Sequence, residues 1–153
     1  MIFIDSSALI KKYVREPGSE SVIARLESGA GIFVSQITFA ECLSAFARKR
    51  NNREMSTAKF ERACDDFIWD WMVGFNKIEV DSKTMASVRE LVLHLRAADA
   101  IQLSCALWLR DLARFAPERA GAPGLLEFVA TDSDLLRAAR AHGLRVFNPE
   151  ETP

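Results

Sequence analysis

The sequence predicts an α/β fold of three layers, with a mainly parallel central sheet flanked by helices, in a single domain spanning 1–153. Three observations lead there. Short runs rich in β-branched and aromatic residues, "IFI", "GIFVS", "KIEV", "LEFVA" and "RVF", recur along the chain. Between them lie longer stretches whose apolar residues step by three and four, the period of a helix with one buried face. The strand runs show little polar alternation, as strands covered on both sides do, and crossover helices join parallel neighbours. A chain of 153 residues suits one domain with one substantial core.

Taken in order, Ile2 to Ile4 form the first strand, and "SALIKKYVRE" continues as a helix that Pro17 and Gly18 break. "PGSESVIARLES" is a second helix and "GIFVS" a second strand. Ser35 is then expected to cap the helix "QITFAECLSAFARKR". "STAKFERACDDFIWDWMVGF" is a longer helix, with Phe60, Cys64, Phe67, Ile68, Trp71, Met72 and Phe75 as its buried stripe. Trp69 falls off that stripe, between Asp66 and Asp70, so core packing leaves it unexplained. "KIEV" is the third strand, followed by a helix over "SKTMASVRELVLHL" and another over "AADAIQLSCALWLRDLA". The one loop rich in Pro and Gly is "RFAPERAGAPG". "LEFVA", a helix over "SDLLRAARAH" closed by Gly143, and "RVF" complete the chain.

Composition narrows the function classes. A charged fraction of 27% against 49% hydrophobic residues is that of an ordinary globular protein, and no run approaches the ~20 apolar residues of a membrane span. The N-terminus has no basic region or cleavage signal, so a cytoplasmic protein with no membrane partner is expected. Cys42, Cys64 and Cys105 are odd in number and unpaired in spacing, which suits reduced thiols and argues against zinc. The net charge of −1 advertises no polyanion partner for the whole surface. Locally, "ARKRNNR" groups Arg48, Lys49, Arg50 and Arg53, either a solvated helix end that suits the dipole or a patch for phosphates.

The acids carry the chemistry. In a parallel sheet, sites form in the crevice beyond the C-terminal strand ends. "IFID" ends at Asp5 and "FVATD" at Asp132, while a third strand is followed by Asp81. On its own stretch, Asp5 reads as a helix cap before Ser6 and Ser7. Glu41, about two turns into its helix, interrupts "ITFAECL", and Asp99, in the first turn of its own, interrupts "AADAIQL". A charge among apolar residues is costly unless it is paired or bound to a metal. Four carboxylates in one place repel one another; a divalent cation removes that cost, and oxygen ligands suit Mg²⁺, with Mn²⁺ as the alternative.

These motifs resemble those of the PIN-domain nucleases, and most closely the VapC-type toxins of bacterial toxin–antitoxin pairs. Asp5 in "FIDSSAL", Glu41 in "SQITFAEC", Asp99 in "LRAADAIQLSCAL" and Asp132 in "FVATDSDLLRAARAHGL" match the four acids of the family in order. The resemblance implies a PIN-like fold and a Mg²⁺-dependent endoribonuclease that cuts single-stranded regions of RNA. It also implies a homodimer inhibited by a cognate antitoxin. Asp5 and Asp99 would then be the main metal ligands, with Asp132 joining directly or through water. Glu41 would complete the cluster and orient the attacking water or a second ion. Asp134, two residues beyond Asp132, is the alternative fourth acid; Ser7 and Thr131 are candidates to hold a ligand or a phosphate oxygen. The "RFAPERAGAPG" loop is longer than the family usually has there.

With the four site acids set aside, the remaining side chains carry an excess of about three positive charges, a modest attraction for RNA to which Arg48–Arg53 contribute. Trp69 is expected at an interface, with a second protomer or an antitoxin helix, because bare tryptophans are enriched in binding hot spots. Other readings are a catalytically inactive PIN-like module that binds RNA or protein, a phosphatase with an aspartyl nucleophile, and a receiver-like signalling domain. Ser7 stands where the phosphatase wants a second acid, and "FIDSSAL" offers one acid where a receiver usually pairs two.

Overall fold

The computed structural model describes residues 1–116 and 125–151. Strands β1 (Ile2–Ile4), β2 (Ile32–Ser35), β3 (Asn76–Ile78), β4 (Glu127–Val129) and β5 (Arg145–Phe147) form one sheet in the order β3-β2-β1-β4-β5. Every pairing is parallel. The mainly parallel sheet of the sequence reading is therefore wholly parallel among the described residues. The helices are α1 (Ser6–Leu9), α2 (Ser19–Leu26), α3 (Thr38–Asn51), α4 (Thr57–Val73), α5 (Val88–Leu91), α6 (Ala97–Phe115) and α7 (Ser133–Ala141). Residues 117–124, most of the Pro- and Gly-rich loop, lie outside the described residues.

Alternation along the central strand makes the three layers. Phe3 faces one side, where it stacks on Phe128 at 5.6 Å between centroids and packs with Leu91, Leu103, Leu107 and Leu135. Ile2 and Ile4 face the other, with Val34, Leu9, Val22, Phe46 and Phe67. Side chains of this size contribute about 1.5–3 kcal/mol each when fully buried, so both faces are held firmly. The chain leaves β1 towards β2 and β3 on one side, then returns to β4 and β5 on the other. Between β1 and β4 the winding direction reverses, which opens a crevice at their C-terminal ends.

Several expectations give way to local chemistry. The first helix is only Ser6–Leu9, tightening into a 3₁₀ turn at Ile10–Lys12. Ser35 does not cap α3; it ends β2 as a fully buried residue, and Ile37 takes the cap position. Most of 82–95 is turns, with α5 only four residues long. There, Asp81 Oδ1 accepts from the amides of Lys83 and Thr84, a side-chain turn that competes with helix. On α4, Ile68 and Met72 are not core: they are 37% and 61% exposed and extend the face that carries Trp69. No helix among the described residues is long and apolar enough to cross a membrane.

Candidate active site

At the crevice beyond β1 and β4 lies a cleft of about 1020 Å³, lined by Asp5, Glu41, Asp99 and Asp132 together. Each arrives from a different segment. Asp5 follows β1, Glu41 is in the first turn of α3 rather than two turns in, Asp99 is in the first turn of α6, and Asp132 precedes α7. The topology gathers carboxylates that are 127 positions apart in sequence, from 5 to 132, into the lining of one cleft.

Asp5 has two roles at once. It is the N-cap of α1, Oδ2 accepting from the Ser7 amide at 2.8 Å, and it is buried at 3% exposure in the cleft. Burial pushes its carboxyl up to about 6, hydrogen bonds from Ser7 hold it back, and the charges of Glu41 and Asp99 add to the rise. The Ser7 hydroxyl accepts from the Thr131 amide at 3.1 Å, fastening the end of β1 to the end of β4. Asp132 caps α7, its Oδ1 accepting from the amides of Asp134 and Leu135 at 2.9 Å. Asp134 itself is exposed and paired with Arg137, away from the cleft lining.

Two residues of the site escaped the sequence reading. Gln102, fully buried on α6, donates to Glu41 Oε2 at 2.6 Å and to Thr38 Oγ1 at 2.9 Å. A polar residue on the buried side of "AADAIQLSC" was the available signal. Arg96 spans two of the acids, Nε to Asp99 Oδ2 at 2.8 Å and Nη2 to Asp132 Oδ2 at 3.0 Å. Its place three residues before Asp99 fits an ion pair on one helix face, but its reach to Asp132 is visible only in the fold.

The basic run divides. Arg48 lines the cleft, while Lys49 is engaged with Glu16 and Glu54. The Arg50 guanidinium lies over the Phe60 ring at 4.5 Å, and Arg53 sits in the turn after α3 with φ +62°. On the far rim, Lys11 is almost wholly buried and pairs with Glu16 and Glu150. All three cysteines are free, and burial pushes the Cys42 thiol well up.

A PIN domain family model matches residues 2–141. The chain belongs to the PIN domain family. The fold of this PIN domain is similar to that of FitAB bound to an IR36 DNA fragment, with TM-score 0.67 at 18% identity, covering 100% of this chain and 98% of that one. FitAcB from Neisseria gonorrhoeae gives 0.62 at 18% identity over 99% and 100% of the two chains. VapBC2 from Rickettsia felis, bound to a DNA fragment from its promoter, gives 0.60 at 14% identity over 97% and 98%. Comparison with curated proteins gives no match. The four carboxylates that line the cleft are the donor type that hard divalent cations take. As its side chains stand, no three acidic, His or Cys side chains among the described residues close around one point.

Proposed function

We propose that this chain is a metal-dependent endoribonuclease, a single PIN-like domain cutting single-stranded regions of RNA as the toxin of a toxin–antitoxin pair. The observation that carries the nuclease reading is the meeting of Asp5, Glu41, Asp99 and Asp132 on one cleft at the switch point of a PIN-domain sheet. Asp5, Asp99 and Asp132 would hold Mg²⁺ or Mn²⁺, which when bound supplies a polarised water and neutralises charge developing on a phosphodiester. Glu41, held by Gln102, would complete the cluster and orient the attacking water or a second ion. Ser7 and Thr131 keep the Asp5 and Asp132 strand ends together. Arg48 at the cleft edge is a contact for RNA phosphates, with Lys49, Arg50 and Arg53 behind it.

The toxin reading draws on the resemblance of the four motifs to VapC-type toxins and on the shared fold with FitAB and VapBC2. A cognate antitoxin, a second protomer or both would cover the exposed Trp69 face, in a protein of the cytoplasm. A non-catalytic module that binds RNA or protein is the second reading. It is favoured by Arg96, which already spans two of the four acids.

The test is cleavage of a labelled single-stranded RNA by the purified protein with Mg²⁺, with Mn²⁺ and with EDTA. Activity is expected only with metal, and Asp5→Asn or Asp99→Asn should abolish it while circular dichroism shows an intact fold. Undiminished cleavage in either variant, or in EDTA, would remove the metal-nuclease reading.

A further inference from the structure

We propose that Arg96 is the resident counter-cation of the carboxylate cluster, and that a divalent cation competes with it for the open oxygen of Asp132. The proposal rests on the metal-dependent reading above and adds the regulation of its loading.

Oxygen-by-oxygen accounting, together with charge repulsion, sets the two cations in competition. Asp132 has committed Oδ1 to the amides of Asp134 and Leu135, and those bonds start α7. Its remaining oxygen, Oδ2, is the one that Arg96 Nη2 holds at 3.0 Å. A cation binding Asp132 without unwinding the helix start must therefore take the oxygen that the guanidinium occupies. Arg96 Nε holds Asp99 Oδ2 at 2.8 Å in the same grip. One planar fork thus joins two helix N-termini that are 36 residues apart in sequence.

The other cations of the cleft are engaged elsewhere. Lys11 belongs to Glu16 and Glu150, and Arg48 donates to the Ser44 hydroxyl. Arg96 alone among the described residues pairs with acids of the cluster.

The arginine is also built to leave. Its side chain is 76% exposed, against 16% for Asp99 and 32% for Asp132. It stands at the N-cap of α6 with extended backbone and no side-chain capping bond of its own. Without metal, the guanidinium offsets the mutual repulsion of the acids; with metal, that work passes to the ion, and Arg96 is released to solvent at the cleft mouth.

The test is Mn²⁺ affinity by isothermal titration calorimetry, with no RNA present, for wild type and Arg96→Met, which keeps an unbranched stem without the charge. The variant should bind Mn²⁺ more tightly by on the order of tenfold, the effect of freeing two exposed charge-assisted hydrogen bonds. Equal or weaker binding by the variant, with wild type still binding, overturns the competition and leaves the metal reading intact. If neither protein takes up Mn²⁺, both fall together.

Discussion

Gln102 Nε2 donates to Glu41 Oε2 at 2.6 Å, joining α6 to α3 across the floor of the cleft. The same amide also reaches Thr38 Oγ1, so one fully buried side chain fixes the first turn of α3 and aims its acid. Gln102→Leu keeps the approximate volume and removes the donor. It should destabilise the fold by about 1–3 kcal/mol, the usual consequence of leaving buried polar partners unmatched. Cleavage should fall further than stability accounts for, because Glu41 loses its orientation. Denaturant titration beside a cleavage assay under fully folded conditions separates the two effects.

The raised Asp5 carboxyl predicts an inverted pH dependence for its contribution to stability. Its folded value of about 6 lies above the ordinary 3.8, so between those limits the folded state binds the proton better than the unfolded chain does. Stability from this group is fully present below 3.8 and is lost as pH rises through about 6. At pH 7, metal-free Asp5→Asn should exceed wild type by about 2–3 kcal/mol, since Asn keeps a capping oxygen without the buried charge. The difference should shrink towards pH 4, and Mg²⁺ at pH 7 should also reduce it by stabilising wild type more. Urea midpoints of both proteins across this range, with and without Mg²⁺, provide the check. A constant difference would mean that Asp5 titrates normally.

Among the four basic residues, position in the fold predicts unequal effects. Arg48→Ala should weaken binding of single-stranded RNA and reduce the salt slope of log K by about one contact. Lys49→Ala should act on stability instead, because its ammonium belongs to Glu16 and Glu54. Binding isotherms at three salt concentrations, with thermal midpoints for each variant, distinguish these roles. An unchanged slope for Arg48→Ala would make the run a solvated helix end.

The acids were legible in the sequence because each of the four interrupts an apolar or strand-end pattern, and that pattern is local. Arg96 and Gln102 were not, because their roles depend on Asp132 and Glu41 arriving from other elements. The five strand segments were readable from β-branched and aromatic runs. The stretch after Asp81 has the apolar spacing of a helix but forms mostly turns, because its first amides donate to the Asp81 carboxylate. The α4 stripe was drawn too wide for a related reason. Periodicity locates an apolar face, but Phe67 marks its buried centre only once Tyr13, Phe46 and Phe39 close around it.

Trp69 lies roughly 200° around α4 from the buried Phe67 and is 62% exposed. Ile68, Met72 and Val73 are exposed on the same side, forming an apolar patch beside the acids Asp65 and Asp66. Trp69→Ala should weaken self-association or antitoxin binding by ~2 kcal/mol if the indole is a hot spot. Metal-dependent cleavage by the isolated protein should stay near wild type, since the residue is not part of the cleft lining. Sedimentation equilibrium and titration with the proposed antitoxin are the measurements. Both associations unchanged would place the interface elsewhere.

The middle position of β1 has a consequence for the order in which the protein matures on the ribosome. β1 precedes β4 in the chain and must wait for it: β4 begins at Glu127, paired with Ile2. β2 and β3 can dock as soon as they emerge, but the second half of the sheet closes only after α6 and the following loop have been translated. Asp5 follows β1 and Asp132 follows β4, so each belongs to a different one of the two strands. Until both strands meet, the chain holds only part of the carboxylate cluster. Asp5 and Asp132 therefore come to one cleft only after the longest-range pairing of the sheet, Ile2 with Glu127, has formed.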